Sequence, residues 1–173
     1  RPIKAPADLQ GIKLRVPEGK WRVKMFQAYG ANPSPMKFSE VFTALQTGVM
    51  DGQENPFTQI YSAKFQEVQK FISLTGHVYT PAYLTAGSRK WASLPEDVRK
   101  ILEDTAKETQ AWVYEKAAKD DEDLLGKIKA AGVAVNTPNK DAFVAASRPV
   151  YEEFAKEVAG SKDVIDRAIA LGK

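Results

Sequence analysis

Apolar positions along the first half of the chain follow two alternating rhythms. Ile12, Leu14 and Val16 alternate with Lys13 and Arg15, the period-two signature of a half-buried strand, and Pro17 ends it. Before it, Asp8-Leu9-Gln10-Gly11 reads as one helical turn stopped by glycine. After it, Trp21, Met25, Phe26 and Tyr29 fall at helical spacing, closed near Gly30. Asn32-Pro33-Ser34-Pro35 predicts an extended segment at a sheet edge, because proline cannot donate to a ladder. Ser39 is placed to cap a short helix that turns Val41, Phe42 and Leu45 inward, with Gly48 just past its end. Residues 49–56 then read as a short strand, a tight glycine turn and a helix start. Pro56 opens a helix carrying Phe57, Ile60, Tyr61 and Phe65, and residues 68–74 form the next strand. Strand and helix thus alternate through residues 12–75, which predicts an α/β fold with a parallel or mixed sheet flanked by helices.

The rhythm changes after residue 77. Residues 78–86, rich in tyrosine and small side chains, read as an extended segment that leaves one compact unit. Ser93 and Glu96 form a capping-box pattern. Apolar positions then recur from Val98 through Ile101, Leu102, Trp112 and Val113 to Leu124, Leu125 and Ile128, with Gly132 as the stop. As one helix this would be about 55 Å long, far beyond the roughly 30 Å of a small domain, so it crosses between units, bends or breaks. The acidic run at 120–123 is where a break near Lys119 would fall. A short strand at 133–135 follows, then a helix with Phe143 and Val144 that Pro149 kinks or restarts, and a last helix capped by Ser161. The resulting division is residues 1–87, most of one α/β domain with its crossover segment, and residues 88–173, a long connecting helix and C-terminal helices.

Composition narrows the chemistry. At 173 residues, 43% hydrophobic and 27% charged, the chain can bury a core. It has no cysteine and one histidine, His77, which excludes disulfides, thiolate metal sites and a histidine-rich metal centre within one chain. Its 25 basic and 22 acidic residues give +3 and are interspersed, so the basic stripe of a nucleic-acid binder is missing. No apolar run approaches the roughly 20 residues of a membrane helix. The chain begins at Arg1 without Met, and the expectation is that a leader was removed or that this is a piece of a longer polypeptide.

Catalytic constellations are poor: there is no nucleophile–base set and no glycine-rich phosphate loop. Arg15 is the better candidate, since a guanidinium fork matches a carboxylate with two parallel hydrogen bonds; an exposed strand arginine is the plain alternative. Asn55 sits where strand gives way to helix, at the edge where α/β sheets take ligands, yet an asparagine before proline also reads as a helix N-cap. Phe38 either floors a pocket or packs in the core. Asp51 and Glu54 invite a paired-carboxylate reading, against a turn aspartate and a salt-bridged glutamate. His77 reads as structural or surface, with nothing nearby to complete a catalytic set.

Six blocks occur in order: Gly-Ile-Lys-Leu-Arg-Val-Pro (11 to 17), Gly-Ala-Asn-Pro-Ser-Pro-Met (30 to 36), Phe-Ser-Glu-Val-Phe-Thr-Ala-Leu-Gln-Thr-Gly (38 to 48), Asp-Gly-Gln-Glu-Asn-Pro (51 to 56), Lys-Phe-Gln-Glu-Val-Gln-Lys (64 to 70) and Leu-Thr-Gly-His (74 to 77). Together they closely resemble the solute-binding proteins of tripartite ATP-independent periplasmic (TRAP) transporters, of the dicarboxylate-binding type. The resemblance implies a periplasmic-binding-protein-like α/β fold, an organic acid anion as ligand, a membrane permease as partner, a periplasmic location and no cofactor. It further implies that Arg15 forms a bidentate salt bridge to the ligand carboxylate, that Asn55 contacts the ligand and that Phe38 lines the pocket. The resemblance is to the C-terminal half of such proteins. Helices beyond residue 88 would then leave apolar faces uncovered, so a homo-oligomer or swapped assembly is expected. Two other readings remain: an interaction module built on those helices, and an enzyme using Asp51 and Glu54.

Overall fold

The structure, a computed structural model, describes residues 1–172. A 3-10 turn at Pro6–Leu9 leads into β1 (Lys13–Val16), α1 (Lys20–Ala28) and β2 (Asn32–Pro35). A second 3-10 turn, Phe38–Glu40, runs into α2 (Val41–Gln46), followed by β3 (Gly52–Gln53), α3 (Phe57–Ser62), a third 3-10 turn (Phe65–Glu67) and β4 (Phe71–Ser73). Then come α4 (Ser88–Ala92), α5 (Glu96–Ala130), β5 (Ala134–Asn136), α6 (Lys140–Glu157) and α7 (Ser161–Leu171). None of these helices is long and apolar enough to cross a membrane.

Every ladder is parallel, and pairing falls into two sheets: a three-stranded one in the order β2-β1-β3 and a two-stranded one of β4 and β5. The expected flanked sheet is therefore split, with no antiparallel member among the described residues. The proline-bearing strand β2 lies at an edge, as its missing donors require. Two apolar clusters hold the layers. Val41, Ala44, Leu45, Met50, Ile60 and Phe65 enclose Ile128 of α5 and Val133. Leu9, Leu14, Val16, Phe26 and Tyr29 enclose Phe143 of α6. Residues beyond 88 thus close both clusters, and β5 pairs with β4.

The long apolar stripe is one unbroken helix of 35 residues, and of the two readings the break near Lys119 does not form; the acidic run is held in register by the Lys116–Asp120 pair, one turn apart. Several local expectations are corrected. Pro149 does not restart α6, which continues through it while Phe143, Ser147 and Phe154 pin it against α1 on both sides. Ion pairs Lys20–Glu157 and Lys24–Glu153 add to that seam. Ser93 caps nothing: it ends α4, an element the pattern did not signal, and its hydroxyl donates back to the Lys90 carbonyl at 2.8 Å, while α5 starts after Pro95. Ser39 lies inside a 3-10 turn, and Ser161 follows Gly160, whose left-handed φ of 76° makes the helix entry. The strand expected before Gly52 lies at Gly52–Gln53 instead, with Met50 buried ahead of it.

Candidate functional site

Arg15 stands on β1, the central strand of the larger sheet, in register with Ser34 on one side and Gln53 on the other. It is 4% exposed, which sets aside the reading of a solvent-facing strand arginine. Its Nε and Nη2 both donate to one acceptor, the Met36 carbonyl oxygen, at 2.9 and 2.6 Å. Burial pushes its pKa down from the ordinary value, and the negative charge of Glu54 opposes that push. A guanidinium so placed stays charged, and its fork is occupied by a neutral carbonyl rather than a carboxylate.

Phe38 lies beside it, the Arg15 Cζ 5.9 Å from the ring centroid. The ring leans on Phe65 at 5.6 Å and keeps 41% of its surface exposed, so it is half core, half wall. Asn55 occupies the link between β3 and α3, partly buried, with Nδ2 donating to Gln53 Oε1 at 2.7 Å. The N-cap position of α3 is Pro56, so Asn55 is not the helix cap that an asparagine before proline predicts. Proline fixes the residue before it in the extended region, and that turns the amide away from the helix end.

Arg15 and Phe38 adjoin each other. Asn55 belongs to a different surface, a trough of about 1360 Å³ between the two sheets that neither Arg15 nor Phe38 lines. Glu54 links the two surfaces. It acts on Arg15 through its charge, and its Oε2 takes hydrogen bonds from Arg22 Nη1 at 2.6 Å and from His77 Nε2 at 3.0 Å. The Thr75 hydroxyl meets His77 Nδ1 at 2.6 Å, and Phe26 packs edge-on against the imidazole at 5.2 Å. Three ionisable side chains, each less than a quarter exposed, thus meet beside Asn55. The pattern gave no sign of this cluster because its members lie 32 and 23 positions apart. The paired-carboxylate geometry does not form: Asp51 Oδ2 accepts the Lys13 backbone N–H at 2.8 Å, while Glu54 turns to Arg22 and His77. Among the described residues, no group of histidine, cysteine, aspartate and glutamate side chains could hold a metal ion.

Residues 1–157 match the family of bacterial extracellular solute-binding proteins, family 7. The chain belongs to this family. Among family 7 relatives, the 2,3-diketo-L-gulonate-binding periplasmic protein of Escherichia coli is 37% identical over 166 residues, covering 95% of this chain and 51% of the relative. The sialic acid-binding periplasmic protein of Vibrio cholerae is 33% identical over 158 residues, covering 91% of this chain and 49% of the relative. Among solved structures, a TRAP periplasmic solute-binding protein from Polaromonas sp. bound to D-erythronate superposes with a TM-score of 0.84 at 40% identity, over 91% of this chain and 52% of that one. Another from Sulfitobacter sp., with bound β-D-galacturonate, gives 0.91 at 31% identity, over 96% and 55%. The chain spans about half the length of the relatives it matches.

Proposed function

We propose that this chain supplies one wall of the ligand cleft of a periplasmic TRAP solute-binding protein, and that its ligand is an organic acid anion carried to a membrane permease. The observation that carries the reading is Arg15: a buried, charged fork whose hydrogen bonds go to one backbone carbonyl, with no carboxylate among the described residues bonded to it. A ligand carboxylate offers that fork two parallel, charge-assisted bonds in place of a shared neutral one. Phe38 gives the ligand an apolar floor beside it, and Asn55, bonded to Gln53, the register partner of Arg15, supplies an amide able to donate and accept. Relatives with sugar acids bound and relatives named for C4-dicarboxylate binding both support an organic acid anion as the ligand. The role is capture rather than turnover, with residues 1–87 acting as the ligand-binding part and residues 88–173 as its helical support.

Titration of the isotope-labelled chain with glucuronate, followed by NMR, tests this. The Arg15 Nε–H and Asn55 side-chain resonances are expected to shift, and the neutral sugar glucose to leave them in place. Equal shifts in Arg15→Lys, or none with any sugar acid at millimolar concentration, would overturn the assignment. A second reading, an assembly module, is favoured by one observation: Ile101, Trp112 and Tyr114 on α5 are 60–64% exposed. It is compatible with the first.

A further inference from the structure

Gln53 joins the two surfaces on which Arg15 and Asn55 stand. Register partners in a ladder turn their side chains to the same face of the sheet, so Gln53 on β3 shares the face of Arg15 on β1. Two positions on, Asn55 returns to that face, and its Nδ2 donates to Gln53 Oε1 at 2.7 Å. Neighbouring strands lie about 4.8 Å apart and two residues of strand rise about 6.6 Å, which sets Asn55 about 8 Å diagonally from Arg15 at the Cα level. Glu54, between them, turns to the opposite face and is held there by Arg22 and His77. Pro56 restricts the Asn55 backbone from the other side. The backbone of this short run is fixed on both flanks, and the freedom left to Asn55 is the rotation of its side chain and the sense of its amide.

Gln53 removes that freedom. An asparagine amide carries two N–H donors on one end and an acceptor oxygen on the other, and half a turn exchanges them. One N–H is spent on Gln53 Oε1, which pins the nitrogen end and leaves the second N–H and Oδ1. Among the described residues Asn55 Oδ1 accepts no hydrogen bond, although Gln53 and Asn55 are both half-buried. A hydroxyl suits what remains, because it donates and accepts at once. The bond is made two positions apart in the chain, so it is internal to the link between β3 and α3.

We propose that Gln53 is a positioning residue of the ligand site: it holds the Asn55 amide so that Asn55 reads a hydroxyl of an acid anion whose carboxylate lies on Arg15. This rests on the function proposed above and deepens it, since it assigns the hydroxyl and the carboxylate of one ligand to two different side chains.

Glucuronate and cyclohexanecarboxylate share a six-membered ring and one carboxylate, and only the first carries hydroxyls. Each is titrated at millimolar concentration into the isotope-labelled chain, with the Arg15 Nε–H and Asn55 side-chain resonances as readouts. Both acids are expected to shift Arg15, and glucuronate alone to shift Asn55. Gln53→Met keeps the side chain's length and removes the acceptor. It is expected to preserve the Arg15 response, to abolish the Asn55 preference for glucuronate, and to raise the glucuronate dissociation constant roughly threefold to tenfold. Gln53→Glu accepts but cannot donate, so it keeps the hydrogen-bonded Asn55 side-chain proton protected from exchange in the ligand-free chain only if Asn55 is the donor. Its charge beside Arg15 is expected to weaken the binding of both acids. Circular dichroism checks the folding of the variants, and the unsubstituted chain and Gln53→Glu decide the matter if Gln53→Met does not fold. Equal Asn55 shifts with the two acids, an Asn55 preference that survives Gln53→Met, or a proton that loses its protection in Gln53→Glu overturns this inference while Arg15 still responds. An Arg15 resonance silent to both acids overturns the anion site itself and this inference with it.

Discussion

Glu54→Gln removes the charge on which Arg22 and His77 converge while keeping the side chain's shape. The two bonds, at 2.6 and 3.0 Å, end on the same carboxylate oxygen. The partners' side chains are 22% and 15% exposed and that of Glu54 11%, so the cluster is neither a surface pair nor a fully buried one. Exposed pairs contribute roughly 0–1 kcal/mol, whereas breaking a buried pair costs about 3–5 kcal/mol. Glutamine still accepts from Arg22 but leaves that guanidinium without a counter-charge, which places the expected loss at about 2 kcal/mol. For a chain of this length that corresponds to a melting temperature lower by about 4–8 °C. Urea unfolding with an unchanged slope measures it, and a cycle with Arg22→Met is expected to show a coupling of about 1 kcal/mol. A loss below about 0.5 kcal/mol, or full additivity with Arg22→Met, would refute the view that Glu54 is the hub of this cluster.

Arg15→Met is expected to change stability by less than about 1 kcal/mol, because the desolvation it relieves offsets the lost bonds to Met36; a chemical melt checks this, and a large loss would make Arg15 a structural residue. Tyr29 is buried with its hydroxyl 2.7 Å from Ser147 Oγ, and burial raises its pKa. The folded state then holds this proton longer than the unfolded chain, so stability is full below the ordinary tyrosine value near 10 and falls as pH rises through the raised one. Tyr29→Phe is expected to lose about 1 kcal/mol at neutral pH and to soften that alkaline fall, read from melts across a pH series. Gly30 has φ of 91°, and a Cβ there meets Gln10 Oε1 at 2.8 Å, so Gly30→Ala is expected to destabilise by about 1–2 kcal/mol in the same assay.

The elements with strong periodicity were legible in the chain. Ile12 to Val16, the helix around Trp21 and Phe26, the proline-bearing edge and the long helix all occur close to where the pattern places them. The polar signals at helix starts misled, since Ser39, Ser93 and Ser161 each match a cap pattern while their structure is set by a neighbouring turn or helix end. Local sequence carries no record of which of two adjacent turns wins. The split of the sheet was equally hidden, because β3 and β4 read as successive strands and nothing in either says that they do not pair. Arg15 was visible as a candidate through its residue type and strand position, but not its burial, which depends on the Met36 carbonyl and Phe38 brought in from beyond β2. The Glu54–Arg22–His77 cluster needs the finished fold, since three segments supply it.

The continuity of α5 has a mechanical meaning. Its C-terminal end is clamped, with Ile128 fully buried among α2, α3 and Val133, while Ile101 and Trp112 toward the other end stand in solvent. A helix of 35 residues is about 50 Å long. Tilting it by about one degree at the clamp carries its tip by roughly 0.9 Å over that length. The helix is therefore a lever arm, and each degree of rearrangement around Ile128 becomes nearly an ångström of displacement at its far end.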